Sequence, residues 1–256
     1  MKAFLLSAGE GTRLRPLTNE IPKCLIPVDN KPLLHYWLKL CEKYGVEEVL
    51  INLYHLSSQI EEFLENNHYK VKIKKVYEKK LLGSAGTIAA NKDFIEGEES
   101  FFIFYTDNLT NMNLRKMGQF HKTHQGMFTM GLFRTDFPQG CGIVKMNKNY
   151  LISGFQEKPE HPLSNLANAG IYVANSELLN YIDEVIKNQE KLIEEKIFSP
   201  LDIGYHILPG LVGKMYGYLI EEYFLEIGTW ENYRRAQEEL DVKKKPQAIQ
   251  FFNSFL

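Results

Sequence analysis

The feature that most constrains this chain is a set of short, wholly apolar runs spaced through its first half. Phe101-Phe102-Ile103-Phe104 is apolar at consecutive positions, and so is Ala3-Phe4-Leu5-Leu6. A strand with one wet face alternates apolar and polar residues; an unbroken apolar run marks a strand covered on both faces. Between such runs lie segments of helical character. The expected strands are Lys2–Leu6, Glu48–Leu53, Val71–Val76 and Phe101–Tyr105, with helices at Pro32–Tyr44, Ser58–Glu65 and Ala85–Lys92. This order reads β-α-β-α-β-α-β and predicts an α/β fold: a mixed, mainly parallel sheet with helices on both faces. Ser58-Gln59-Ile60-Glu61 reads as a capping box at the start of the second helix. Beyond Met127 the strands come closer together and predict a mixed or antiparallel extension of the sheet.

No low-complexity linker or internal repeat interrupts the 256 residues, so a single domain over 1–256 is expected. With 30 basic against 32 acidic residues and a formal charge of −2, the chain carries no electrostatic footprint for nucleic acid. A small neutral-to-anionic substrate met by a few placed cations fits better. The 3 cysteines, Cys24, Cys41 and Cys141, are odd in number and far apart. That argues against a disulfide framework or structural zinc, and for a reducing compartment. No apolar stretch approaches the roughly 18 residues that span a bilayer. No membrane partner and a cytoplasmic location are therefore expected.

The strongest local motif follows the first strand: Leu6-Ser7-Ala8-Gly9-Glu10-Gly11-Thr12-Arg13-Leu14-Arg15-Pro16-Leu17-Thr18. Glycines let backbone N–H groups approach an anion closely, and the arginines add charge. The spacing matches neither the dinucleotide fingerprint nor the P-loop. Taken alone, such a loop is more often just a tight turn. Next comes Ile21-Pro22-Lys23-Cys24-Leu25-Ile26-Pro27-Val28, whose two prolines are expected to hold Lys23 in a fixed, extended segment.

Together these two motifs resemble those of the sugar-1-phosphate nucleotidylyltransferase family, and the likeness continues in order along the chain. Pro32-Leu33-Leu34, Leu82-Gly83-Ser84-Ala85-Gly86-Thr87, Thr106-Asp107, Gly140-Cys141-Gly142-Ile143-Val144, Phe155-Gln156-Glu157-Lys158-Pro159, Asn168-Ala169-Gly170-Ile171-Tyr172 and Glu226-Ile227-Gly228-Thr229 each resemble a family motif. The resemblance implies a Rossmann-like fold of the nucleotide-diphospho-sugar transferase type, with a nucleotide-binding part at about 1–110 and a sugar-binding part at about 111–240. It implies that a sugar 1-phosphate oxygen attacks the α-phosphorus of a nucleoside triphosphate and releases pyrophosphate, a step driven by positioning and charge neutralisation.

By the same resemblance Arg13, Lys23 and Asp107 are the catalytic residues. Ala8, Gly9, Gly11, Thr12, Arg13, Lys23, Gly83 and Gly86 would bind the nucleotide, and Gly142, Glu157, Lys158 and Asn168 the sugar phosphate. Asp107 and Glu226 would hold Mg²⁺, an ion suited to one or two carboxylates plus substrate phosphates. Glu226 is a departure, since the family usually has Asp there. The implied partners are a nucleoside triphosphate and a sugar 1-phosphate, and a homo-oligomer is left open. Several stretches look most like mannose-1-phosphate guanylyltransferase-type sequences, which points to GTP and mannose 1-phosphate or a related sugar. dTTP or UTP with a hexose or N-acetylmuramate 1-phosphate stays open, as does a non-catalytic nucleotide-sugar sensor. The spacing His121-x-x-His124 is read as a solvated helix face rather than a metal pair, and Trp37 and Trp230 as core residues.

Overall fold

A computed structural model describes residues 1–124, 126–192, 200–241, 245 and 247–255. Two compact units emerge, with the chain passing between them more than once. Unit 1 comprises Met1–Lys80, Phe104–Arg115 and Ile220–Leu256; unit 2 comprises Leu81–Ile103 and Lys116–Leu219.

In unit 1 the strand Lys2–Leu6 runs parallel to Glu48–Leu53, which runs parallel to Lys72–Tyr77, with Ala3 opposite Val49 and Val49 opposite Ile73. Ala3, Phe4, Leu5, Val49, Leu50 and Ile51 are fully buried, as the unbroken apolar runs require. Lys72–Tyr77 alternates instead and places Lys72 and Lys74 along a strand whose burial is partial. Lysines on such a strand discourage pairing with other chains. The helix Leu33–Lys43 buries Leu33, Leu34, Trp37, Leu38, Leu40 and Cys41, the three- and four-residue spacing of one face. Trp37 stacks on Phe104 with ring centroids 4.6 Å apart, and its indole N–H donates to the Asn108 carbonyl at 2.8 Å. Truncating a side chain so placed costs about 3–5 kcal/mol. The stacking anchors the segment that leads from Phe104 to Asp107.

Two short antiparallel ladders complete unit 1. One joins Pro27–Val28 to Lys31–Pro32 and turns the chain sharply after Lys23. The other joins Asn108–Thr110 to Phe224–Glu226, with Glu226 opposite Asn108. A terminal helix, Gln247–Asn253, brings Phe251 and Phe252 onto Tyr36, and Phe255, just beyond it, lies 5.1 Å from the same ring between centroids.

Unit 2 is mixed, as expected beyond Met127. Leu166–Asn175 pairs antiparallel with Phe128–Arg134, Ile152–Glu157 pairs antiparallel with Gly142–Met146, and Met215–Leu219 runs parallel to Phe128–Arg134. The ten-residue strand Leu166–Asn175 changes register between Asn168 and Tyr172, around Gly170 at φ 64°. A bulge there re-aims side chains.

Three local expectations fail. The helix Ser57–Glu65 has no capping box: Leu56, in the left-handed region at φ 50°, takes the N-cap position without a side-chain bond, and Glu61 accepts from Tyr77 and Lys75 instead. Lys23 is not extended but opens a single 3-10 turn, Lys23–Leu25, closed by the Ile26 N–H on the Lys23 carbonyl at 3.2 Å. Trp230 is half-buried at the start of the helix Trp230–Glu239 rather than core.

Candidate active site

In unit 1 a buried polar network ends the first strand. The Ser7 N–H donates to Asn52 Oδ1 at 2.7 Å, and the Asn52 amide donates to Glu78 Oε1 at 2.8 Å. The Ser7 and Thr106 hydroxyls lie 3.0 Å apart, and Thr106 donates to the Leu6 carbonyl at 2.9 Å. Buried polar groups satisfied this fully fix one geometry, so the loop that follows starts from a rigid base. Ala8 is buried, Gly9 and Glu10 are exposed, and Leu14 is buried as the loop's apolar anchor.

Gly11 has φ 64°, and a Cβ there would meet Thr18 Cγ2 at 2.9 Å and Lys23 Cβ at 3.2 Å. Its lack of a side chain lets the loop bend left-handed against the Lys23 stem. The Thr18 hydroxyl secures the bend by donating to the Gly11 carbonyl at 2.9 Å, and His55 Nε2 lies 2.8 Å from the Thr18 carbonyl. A 3-10 turn, Thr12–Leu14, then presents Arg13.

Three cations on or beside this loop each carry an acidic partner. Arg15 reaches Glu10 at 3.1 Å and Arg13 reaches Glu226 at 3.0 Å, while Lys23 is ion-paired with Asp107. Arg13 is 54% exposed, but Lys23 is only 13% exposed and Asp107 only 27%. The Arg13–Glu226 pair lies over Gly228, where a Cβ would fall 2.2 Å from Glu226 Oε1 and 2.8 Å from an Arg13 nitrogen. Asp107 and Glu226 flank one ladder: Glu226 is opposite Asn108, and the Ile227 N–H donates to the Asp107 carbonyl at 2.8 Å. Cys24 is buried beside them, and burial pushes its thiol up to about 12, so it stays a neutral thiol.

Unit 2 builds a different kind of site. Gly83, at φ 81°, lies so close to Leu201 that a Cβ would fall 2.5 Å from its carbonyl oxygen. The N–H groups of Ala85 and Gly86 donate to that carbonyl at 2.8 and 3.1 Å, and the Leu201 N–H donates to Leu82 at 2.8 Å. Residues 82–86 are thus clamped from a segment far along the chain. Next to Leu201, the Asp202 carboxylate accepts from the Ser84 hydroxyl at 3.0 Å and from the Tyr205 N–H at 3.1 Å. It caps a π-helical turn, Ile203–Ile207; such turns occur often at functional sites.

Glu157 extends over two buried glycines. A Cβ on Gly142 would lie 2.8 Å from Glu157 Oε2, and one on Gly204 would lie 3.0 Å from the same oxygen. Lys158 follows in a left-handed conformation, φ 45°, its N–H on the Cys141 carbonyl at 3.0 Å. Its ammonium lies 3.9 Å from Glu157 Oε1 and 5.8 Å from the centre of the exposed Tyr205 ring. Asn168 spans the bulge: its carbonyl accepts the Gly170 N–H at 2.9 Å and its amide donates to the Tyr172 hydroxyl at 2.7 Å.

A glycine loop with paired cations lies on one unit, and Glu157 and Lys158 lie beside buried glycines on the other. The nucleotidyl transferase family model matches residues 2–243. The chain belongs to this family. It is 32% identical over 241 residues to D-glycero-α-D-manno-heptose 1-phosphate guanylyltransferase from Aneurinibacillus thermoaerophilus, covering 94% of this chain and 98% of that one. It is 34% identical to mannose-1-phosphate guanylyltransferase 1 from Arabidopsis thaliana over 82% of this chain, and the match spans 60% of that longer relative. Among solved structures, HddC from Yersinia pseudotuberculosis superposes with a TM-score of 0.73 at 21% identity over 93% of this chain and 98% of that one. UDP-glucose pyrophosphorylase in complex with UDP-glucose gives 0.74 at 21% identity over 93% and 97%. These likenesses confirm the mixed-sheet α/β fold of nucleotidyl transferases.

Nucleotidyl transferases of this kind generally work with a divalent metal, and the unit 1 donor set fits one. Among the described residues no three His, Cys, Asp or Glu side chains converge on one point. Two carboxylates with no nitrogen or sulfur ligand suit a hard cation whose remaining positions are filled by substrate oxygens and water.

The structure pairs Arg13 with Glu226 and Lys23 with Asp107, contacts that the motifs did not suggest. It also adds residues that sequence reasoning passed over: Asn52 and Glu78 beneath the loop, Ser84, Asp202 and Tyr205 in unit 2. His121 and His124 are not a solvated face. His121 is buried between the Thr129 hydroxyl at 2.8 Å and Asn175 Oδ1 at 2.7 Å, and His124 stacks on Tyr216 with centroids 3.9 Å apart. Burial lowers both imidazoles, His124 to about 4, and their role is structural. Among the described residues no helix is long and apolar enough to cross a membrane.

Proposed function

We propose that this nucleotidyl transferase transfers guanylyl from GTP to a manno-configured sugar 1-phosphate, mannose 1-phosphate or a heptose analogue, giving the GDP-sugar and pyrophosphate. The observation that carries the reading is the convergence of two cation–carboxylate pairs on the glycine loop. Lys23 and Asp107 are 84 residues apart and Arg13 and Glu226 are 213 apart. Names of relatives that cover nearly the whole chain support the base and the sugar.

In this reading the N–H groups around Gly9, Gly11 and Thr12, with Ala8 behind them, receive the triphosphate, and the Arg13 guanidinium binds its outer oxygens. Residues 82–86, including Gly83 and Gly86, lie along the base. Lys23 neutralises the charge that builds on the α-phosphoryl oxygens as the acceptor oxygen attacks and pyrophosphate departs. Asp107 and Glu226 would hold Mg²⁺, which when bound would supply charge neutralisation to the phosphates. Both carboxylates are paired with cations in this structure, Glu226 with Arg13 and Asp107 with Lys23, and in this reading the two cations turn to the phosphates when the nucleotide binds.

In unit 2 Lys158 binds the phosphate of the sugar, Glu157 accepts from its hydroxyls and the Gly142 backbone runs along the ring. Asn168 has one amide proton and one carbonyl lone pair left for a hydroxyl. No covalent intermediate is required, and the free thiols take no part. The reaction belongs to the cytoplasm, where free cysteines persist.

Pyrophosphate release by the purified chain with Mg²⁺ tests the reading, with ATP, CTP, GTP, UTP and dTTP crossed against several sugar 1-phosphates. Turnover confined to GTP with manno-configured acceptors is expected. Turnover with another pair overturns the substrate assignment, and silence with GDP-mannose still bound would show a nucleotide-sugar sensor instead.

A further inference from the structure

We infer that His55 is a positioning residue for the transfer: through Thr18 it fixes both the bend of the glycine loop and the stem of Lys23. The inference rests on the reading that this loop receives GTP, and it concerns a side chain outside every motif that resembles the family. Three segments meet at one point. A Cβ on Gly11 would fall 2.9 Å from the Thr18 methyl carbon, 3.2 Å from Lys23 Cβ and 3.3 Å from Lys23 Cδ. The glycine loop, the helix Leu17–Glu20 and the Lys23 stem are therefore packed on one another. Thr18 is the joint between them: it is fully buried, and its hydroxyl donates to the Gly11 carbonyl at 2.9 Å. Whatever holds Thr18 holds the other two.

The helix Leu17–Glu20 is a single turn, which is too short to be stable by itself. Its last carbonyls need partners from elsewhere. Two side chains from one distant segment supply them. His55 Nε2 lies 2.8 Å from the Thr18 carbonyl, and the Gln59 amide donates to the Glu20 carbonyl at 2.7 Å. A carbonyl oxygen only accepts, so His55 Nε2 carries the proton. The source of these bonds is rigid. His55 follows the strand Glu48–Leu53, which is paired on both sides, and Gln59 lies in the helix Ser57–Glu65. Of the two anchors, His55 is the one that acts on Thr18, where the packing converges. The chain of bonds runs from the His55 N–H to Thr18 and from the Thr18 hydroxyl to Gly11. A shift of about 1 Å in a group that positions a reacting phosphate costs up to about 100-fold in rate.

The test uses the full chain with GTP, Mg²⁺ and the sugar 1-phosphate that it turns over best. His55→Ala is expected to raise KM for GTP about 10-fold and to leave KM for the sugar phosphate unchanged. His55→Gln, whose amide nitrogen reaches as far as the imidazole Nε2, should recover most of the loss; His55→Asn, whose amide stops short, should not. If His55→Ala does not fold, the contrast between Gln and Asn decides. Thr18→Val removes the hydroxyl at constant shape and should also raise KM for GTP. The double variant His55→Ala with Thr18→Val should lose no more than the worse single variant, because both cut the same chain of bonds. An unchanged KM for GTP, an equal rise in both KM values, no recovery with Gln, or additive losses overturns the inference alone. Absence of turnover by the unmodified chain with every sugar overturns the substrate reading. Titration calorimetry with GTP then still decides the role of His55, since equal affinity in the unmodified chain and His55→Ala overturns it. No binding of GTP by the unmodified chain overturns both.

Discussion

The two units arrange their polar side chains by opposite means. Unit 1 pairs each cation on or beside its glycine loop with a carboxylate: Arg13 with Glu226, Arg15 with Glu10 and the largely buried Lys23 with Asp107. Unit 2 presents acceptors, and fixes them with backbone bonds and glycine contacts around Leu201 and Asp202. A triphosphate is flexible and highly charged, so exchangeable partners suit it; a sugar ring is stiff and neutral, so fixed acceptors suit it. Polar placement in the two units thus follows the chemistry of what each is proposed to bind.

The largest effect expected from this contrast is at the Lys23–Asp107 pair. Lys23→Ala and Asp107→Ala should each lower kcat by about 10²- to 10³-fold in a pyrophosphate-release assay, with circular dichroism unchanged. Full activity in either variant would remove the proposed mechanism. Gly83 and Gly9 test the rigidity of the two loops. Gly83→Ala forces a Cβ onto the Leu201 backbone at positive φ and should cost about 2–4 kcal/mol in urea unfolding. Gly9, with nothing within 4 Å of a Cβ, should accept Ala at under about 1 kcal/mol while KM for GTP rises.

A smaller effect is expected at Glu226. Glu226→Asp keeps the charge but shortens the reach to Arg13, and kcat/KM should fall several-fold, less than for Glu226→Gln. The smallest concerns His124. Its folded value lies near 4, below the ordinary 6.5, because burial disfavours the charged ring. The unfolded chain therefore takes up its proton first as pH falls. The stability contribution is complete above about pH 6.5 and is lost progressively toward pH 4. Thermal melting across that window should show a shallower decline in His124→Gln.

Much of unit 1 could be read directly from the chain because its signals are local. Apolar runs fixed Lys2–Leu6 and Glu48–Leu53 to the residue, and the loop glycines announce a bend wherever they occur. Lys23, Asp107 and Glu226 were legible through family motifs, since nothing local joins residues 84 apart. Asp202 was not legible. It sits in the run Leu201-Asp202-Ile203-Gly204-Tyr205, whose π-helical turn has no periodic signature, and its partner Ser84 is 118 residues away. The capping box at Ser58 misled for a related reason: Leu56 turns left-handed and starts the helix at Ser57, so the box residues fall inside it.

The pairing of every cation on the glycine loop has one more consequence. Opposite charges about 3 Å apart look like a dipole from a distance, and a dipole's field fades faster than that of a lone charge. The loop therefore casts little attraction into solvent despite its two arginines and a lysine. Encounter with a polyanion should be slow to respond to ionic strength, and discrimination should begin only on contact, when partners are traded. Nucleic acids and other abundant phosphates would pass such a surface without being drawn to it.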